Sequence, residues 1–254
     1  MPEYHFSKFP TLDYASREAI NTLCSNLSFL GIEKKKLLFT STQAHEGKSF
    51  VSLMAADTLA RLGYSVVLVD ADLRRSQISA RYGLMLDKDA NSGLTHYLAG
   101  KSQYTDILYY SHTSPLCLVP VGRTVTNSLS LLTSARFTQL LSQLEQQFDF
   151  IIIDAPPLGP IIDAAEIAKN CDGCIFVVKY NATSYREAQE VKLQLERVGC
   201  PLLGAVLNNV DFDTLSSKKY YHKSYYSRHD SDYYRPEKRK KPAAKPDQKG
   251  KPTA

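Results

Sequence analysis

The run LLFTSTQAHEGKSF, residues 37–50, decides the fold. Its opening, LLFTS (37–41), is apolar and β-prone and reads as a strand that stops at a polar loop. The loop closes on Gly47, Lys48 and Ser49, and Gly47 to Leu62 reads as a helix. In that context backbone N–H groups and a helix N-terminus cradle phosphates, a lysine reaches the terminal ones, and a hydroxyl holds Mg2+. The first glycine usual in such loops is absent, because position 42 is Thr. Taken alone, Gly-Lys-Ser is equally compatible with a solvated helix start.

Working outward, VVLVD (66–70), LCLVPVG (116–122), FIIIDAPP (150–157), CIFVVKY (174–180) and LLGAVLNNV (202–210) read as further strands. Their near-continuous apolar character is that of parallel strands covered on both faces. Helical patterns fall between them at 134–147, 161–169 and 184–198; in the last, Ala188, Val191, Leu195 and Val198 keep helical spacing. Thr11 to Leu30 reads as an N-terminal helix. Repeated βα units give an α/β class, a P-loop NTPase fold with a mostly parallel sheet and helices on both faces. The chain divides into an N-terminal helical extension (1–36), a nucleotide-binding domain (37–217) and a tail (218–254).

Two strands besides the first end in acids: VVLVDADLRR in Asp70 and Asp72, FIIIDAPP in Asp154. Ligands of open α/β sheets sit beyond the carboxyl ends of the strands. Any one Asp after a strand could cap a helix, but three on one sheet beside a phosphate loop point to a nucleoside triphosphate site. Arg74 and Arg75 read equally as a solvated helix start or as catalytic groups.

The net charge of +5 is unevenly spread. From Lys218 to Ala254 there are twelve Lys and Arg against four Asp and Glu, a net of +8, leaving the preceding residues at −3. The tail is rich in Lys, Ser and Pro and reads as disordered. Six of the sixteen tyrosines fall within it as adjacent pairs, Tyr220–Tyr221, Tyr225–Tyr226 and Tyr233–Tyr234. Such rings are normally sheltered in a core or interface, so the cluster reads as phosphoacceptors rather than as linker. Modifying all six would add about −9 to −12 charges and reverse the tail's sign. Its basic charge suits an anionic membrane surface or an acidic partner; without a folded DNA-reading motif it argues against nucleic acid.

The five cysteines lie at scattered spacings, which argues for reduced thiols. Cys171 and Cys174 form a C-x-x-C with no second pair to complete a ligand set, so they read as small buried residues. The opening MPEYHFSKFP has no apolar core of a signal peptide, and no run approaches the roughly 18 apolar residues of a spanning helix. The expected location is therefore cytoplasmic, peripheral at the inner face of the membrane through a partner.

The trio STQAHEGKS, VVLVDADLRR and FIIIDAPP, followed by a tyrosine cluster, resembles the bacterial tyrosine kinases of capsule and exopolysaccharide synthesis. The similarity extends to NSGLTHYLAG (91–100), NSLSLLTSARF (127–137) and GAVLNNVD (204–211). It is strongest to the Gram-positive form, in which the cytoplasmic kinase is separate from its membrane-spanning activator. The resemblance implies an ATP- and Mg2+-dependent protein-tyrosine autokinase that phosphorylates its own tail and regulates capsule or exopolysaccharide production. Glu46, Gly47, Lys48, Ser49 and Phe50 would meet the nucleotide, Lys48 at the β/γ-phosphates. Ser49, Asp72 and Asp154 would hold Mg2+, Asp70 would accept the tyrosine proton, and Asn208 and Asp211 would read the adenine. Implied partners are the activator, which also regulates polymer chain length, and a tyrosine phosphatase. A homo-oligomeric ring is implied through Glu-x-x-Arg-x-x-Arg on the N-terminal helix; here Glu18 is kept, but Asn21 and Cys24 replace the arginines. A second departure is Ala44-His45 where the family carries Pro-Gly, which leaves two alternatives in play. One is a non-catalytic nucleotide-binding adaptor. The other is a partitioning or positioning ATPase of the same fold, disfavoured because STQAHE (41–46) lacks that group's early lysine.

Overall fold

Six parallel strands follow the pattern read from the sequence. In a computed structural model, which describes residues 2–31, 33–87, 91–159 and 162–210, the elements run β1 (Tyr4–Phe6), α1 (Tyr14–Ser28), β2 (Lys36–Ser41), α2 (Lys48–Arg61), β3 (Val66–Asp70), α3 (Ile78–Tyr82), β4 (Leu84–Leu86), α4 (Leu94–Leu98), α5 (Tyr104–Ile107), β5 (Cys117–Val119), α6 (Ser128–Leu132), α7 (Ala135–Glu145), β6 (Phe150–Asp154), α8 (Asp163–Ala168), β7 (Gly173–Lys179), α9 (Tyr185–Arg197) and β8 (Leu202–Asn208). The main sheet has the order β5-β3-β6-β2-β7-β8, with every neighbouring pair parallel.

Because successive strand side chains point to opposite faces, each apolar strand feeds two cores. Leu38, Val67, Val69, Ile151, Ile153 and Phe176 pack on one face with Phe137, Leu140 and Leu141 of α7 and with Val191 and Leu195 of α9. Leu37, Phe39, Val66, Leu68, Ile152 and Ile175 pack on the other with α1 and α2. Each such burial is worth about 1.5–3 kcal/mol. Helix α2 has no polar face: eleven of its fourteen residues are buried. It lies against α1, whose Cys24 Sγ donates to Ala55 O at 3.5 Å.

The structure differs from the sequence expectation in several places besides the short helices α3 to α6, which the sequence reading did not include. The strand read at 116–122 shortens to Cys117–Val119. Pro120 lacks an N–H for the ladder, and its carbonyl accepts from Leu94 N at 2.8 Å instead. The segment before β2 holds a strand as well as a helix: β1 pairs antiparallel with β4, matching Tyr4 to Leu86 and Phe6 to Leu84. Helix α8 begins at Asp163, two residues later than its apolar pattern.

Parallel strands put their carboxyl ends on one edge of the sheet. Asp70 and Asp154 end β3 and β6 as direct register partners, and Phe39 of β2 pairs with Asp154 from the other side. The phosphate loop leaves β2 from the same edge. Among the described residues no helix is long and apolar enough to cross a membrane.

Candidate active site

Helix α2 opens on Gly47, whose φ of 93° lies in the left-handed region and which caps the helix without any side chain. A helix start not closed by a side chain offers free N–H groups and the positive end of the dipole to an anion. Glycine is required there: a Cβ on Gly47 would lie 1.9 Å from Asn208 Nδ2. His45 also has a positive φ, 68°, so it adopts the backbone conformation that the glycine it replaces would adopt freely.

The loop is braced from outside. Glu46, 3% exposed, accepts from Gln43 N at 2.8 Å and from the Thr183 hydroxyl. Asn208 Nδ2 donates to Glu46 O at 2.9 Å. The Glu46 and Asn208 side chains thus hold the loop's shape. Phe50 N donates to Gly47 O at 3.1 Å, which leaves the amides before it to face a ligand. Asp211 and the six tail tyrosines lie outside the described residues.

Lys48 crosses the mouth of the loop to the strand-end acids. Its Nζ lies 3.1 Å from Asp72 Oδ2, 3.5 Å from Asp154 Oδ1 and 3.2 Å from Ser49 Oγ. Burial works against the ammonium, but Asp154 and Asp72 outweigh it and hold its pKa above the ordinary lysine value. The acids are almost wholly buried. Asp70 is pushed up to about 8, first by burial and then by the like charge of Asp154. Asp154 is also raised by burial, with Lys48 pulling the other way. Ser76 Oγ donates to Asp70 Oδ2, whereas Asp70 Oδ1 and Asp154 Oδ2 are buried without a hydrogen-bond partner.

The residues around Lys48 suit Mg2+. Unpartnered carboxylate oxygen on Asp154 stands beside Ser49 and Asp72, a hard-oxygen set, and Mg2+ characteristically takes one or two carboxylates and completes its shell with phosphates and water. Among the described residues no group of three or more His, Cys, Asp or Glu is placed to hold a metal ion. A cleft of about 150 Å3 lies over Gly47, Lys48, Ser49, Asp72 and Arg75.

Three contributors carried no sequence signal of their own. Ser76 and Thr183 are single hydroxyls in polar loops, and Asp163 reads as an ordinary helix-start acid. Arg74 stays partly exposed but is held by an acid: its Nε donates to Asp163 Oδ2 at 2.8 Å, and the Ser128 hydroxyl donates to the same oxygen. This ties the DADLRR segment to α6 and α8. All five cysteines are free; Cys174 is buried and Cys171 half-buried, and desolvation raises the pKa of both.

Fold, loop and acid cluster define a P-loop nucleotide-binding protein, and residues 35–197 match the family model described as AAA domain. The tyrosine-protein kinase CpsD of Streptococcus agalactiae serotype III (strain NEM316) is 37% identical over 196 residues, covering 77% of this chain and 83% of the relative. The tyrosine-protein kinase CpsD of Streptococcus pneumoniae serotype 4 is 34% identical over 220 residues, covering 83% and 94%. Among solved structures, the kinase domain of the Escherichia coli tyrosine kinase ETK superposes with a TM-score of 0.74 at 27% identity, over 82% of this chain and 83% of that one. The chain belongs to the bacterial tyrosine-protein kinases. Against the adaptor and the positioning ATPase, these relatives decide for the enzyme.

Proposed function

We propose that this tyrosine kinase uses ATP and Mg2+ to phosphorylate the tyrosine cluster of its own C-terminal tail, and that the resulting cycle regulates capsule or exopolysaccharide production. The observation that carries the reading is the convergence of Lys48, Asp72 and Asp154 within 3.5 Å, with Asp70 adjoining in register. In this reading Lys48 leaves its carboxylates to meet the β- and γ-phosphates. Ser49, Asp72 and Asp154 hold Mg2+, directly or through water, and bound Mg2+ supplies charge neutralisation at the phosphates. Gly47 and the first amides of α2 cradle the phosphates, with Glu46 and Asn208 as braces. The adenine would be read by Asn208, at the end of β8, and by Asp211, as the resemblance implies.

Phosphoryl transfer asks little covalent chemistry of a protein; position and charge neutralisation dominate. The tyrosine oxygen bonds to the γ-phosphorus, the bond from that phosphorus to the bridging oxygen of ADP breaks, and the phenolic proton passes to Asp70. A carboxylate with a pKa of about 8 is a stronger base than an ordinary one, which suits it to that proton. The enzyme works in the cytoplasm at the inner membrane face, with a membrane-spanning activator completing the site and a phosphatase resetting the tail. The loss of both arginines from α1 removes the family's ring contact at those positions: Cys24 is fully buried against α2 instead.

The test is incubation of the full chain with Mg-ATP and membrane fractions, followed by mapping of modified residues. Label is expected on residues 220–234 and absent from Lys48→Met and Asp70→Asn. Label spread evenly over the sixteen tyrosines, or retained in Lys48→Met, would overturn the reading.

A further inference from the structure

Two stretches of chain line most of the nucleotide cleft. One is the phosphate loop and the head of α2, with Gly47, Lys48 and Ser49; the other runs from Asp72 through Arg75 and Gln77 to Arg81 of α3. The first stretch carries the groups that receive phosphates, and Asn208 does not line the cleft, so this is the phosphate end of the site. Arg81 lies outside DADLRR and outside the phosphate loop, yet it lines that end together with Lys48.

Packing fixes where Arg81 stands. Ile78 and Tyr82, on either side of it in α3, are 0% and 4% exposed in the core shared with α1 and α2. The carbonyls of Tyr82 and Gly83 accept from Lys8 N at 3.1 Å and Ser7 N at 3.0 Å, so the chain leaving β1 fastens the end of α3. At the other end, Asp72 accepts from Arg75 N at 3.0 Å through Oδ1, while its Oδ2 meets Lys48. One carboxylate thus ties both stretches of the cleft together.

Arg61, Arg74 and Arg186 each meet a carboxylate. Arg81 is exposed, and its guanidinium has no side-chain partner among the described residues. A free guanidinium is ordinary on an open surface. Here it borders a cleft where Asp72 and Asp154 face a single ammonium, and a triphosphate adds more negative charge than Mg2+ offsets. Arginine presents paired N–H donors in a planar fork that matches phosphate oxygens.

We infer that Arg81 is a ligand of the γ-phosphate: its guanidinium forks onto the peripheral oxygens of the terminal phosphoryl group and holds them through transfer. This deepens the kinase reading above and rests on it for the transfer step. The bond from γ-phosphorus to the bridging oxygen of ADP breaks, the bond to the phenol oxygen forms, and the phenolic proton goes to Asp70. Charge is then spread over the three peripheral oxygens, and a guanidinium already fixed beside them needs no rearrangement to stabilise it. ADP lacks those oxygens. The phosphate loop therefore supplies affinity for both nucleotides, and Arg81 supplies the preference for the one that can donate.

The test compares Arg81→Met and Arg81→Lys with the unaltered full chain. Calorimetry in Mg2+ reads the Kd for ADP and for the non-hydrolysable β,γ-imido analogue of ATP. Arg81→Met is expected to weaken the analogue about tenfold and to leave ADP within about twofold. The unchanged ADP affinity also shows that the cleft is folded. In transfer, kcat for phosphotyrosine formation at saturating ATP should fall about thirtyfold or more. Arg81→Lys keeps the charge without the fork and should fall between the two. Equal weakening of ADP and analogue would put Arg81 on the inner phosphates and overturn the proposal, as would no change in either affinity. The binding arm needs no transfer. A chain that forms no phosphotyrosine, but loses its preference for the analogue in Arg81→Met, would sink the kinase reading of the tail and leave this assignment standing.

Discussion

Replacing Asp70 by Asn should stabilise the nucleotide-free protein, by an amount that grows with pH. Asp70 is buried beside Asp154, and its pKa rises from 3.8 to about 8. Below pH 4 the carboxyl is protonated in both folded and unfolded chains, and the two proteins differ little on this account. Between pH 4 and 8 the folded protein keeps the proton and the unfolded one releases it, so stability falls as pH rises. Each unit is worth about 1.4 kcal/mol, so the margin of Asp70→Asn over wild type should widen by about 3 kcal/mol between about pH 5.5 and 8. Asparagine keeps the shape and can still accept from the Ser76 hydroxyl, which bonds this side chain in the wild type. Urea unfolding of both proteins at the two pH values, with equal m-values, reads the margin directly. A margin that stays constant, or shrinks with pH, would refute the claim that burial and Asp154 hold a proton on Asp70.

Ser76→Ala removes the hydrogen bond that lowers Asp70's pKa, so the rise of phosphotyrosine formation with pH should move to higher pH; a pH–rate profile checks this. His45→Gly relieves a left-handed φ of 68°; about 1–2 kcal/mol of strain less the glycine's added freedom when unfolded leaves a gain of about 0.5–1 kcal/mol, visible in the unfolding midpoint. Gly47→Ala drives a methyl into Asn208, at 1.9 Å from Nδ2, and should weaken ADP binding about tenfold or more by calorimetry. Arg74→Met leaves the buried Asp163 with Ser128 as its remaining side-chain partner; with Arg74 partly solvated, the expected loss is about 1–2 kcal/mol in urea unfolding.

The main sheet was legible because its strands are apolar through and through. VVLVD falls on β3 to the residue, and the strand read at 150–157 is β6 as far as Asp154, stopping before its Ala-Pro-Pro, since a buried parallel strand leaves no room for polar punctuation. The acids at their ends were legible for the same reason, as abrupt charges after apolar runs. The short pieces were not. Helices α3 to α6 have four or five residues each, too few to show a period. β1 and β4 have three residues each and exist because they pair with each other across nearly eighty residues of chain. Contacts such as Thr183 to Glu46 join segments whose spacing in sequence carries no trace of their meeting. The resemblance implied an adenine contact for Asn208; what the structure shows is its amide gripping the loop through Glu46 O.

Helix α2 is walled in by apolar neighbours along almost its whole length. A rod wedged on every side has nowhere to slide, so the ammonium at its head is anchored to the sheet rather than riding on a lever. Whatever rearrangement accompanies the exchange of ADP for ATP must be borne by the connectors at the strand ends, 42–47 and 71–77. On this packing the two connectors are the expected hinges, and α2 is the fixed part between them.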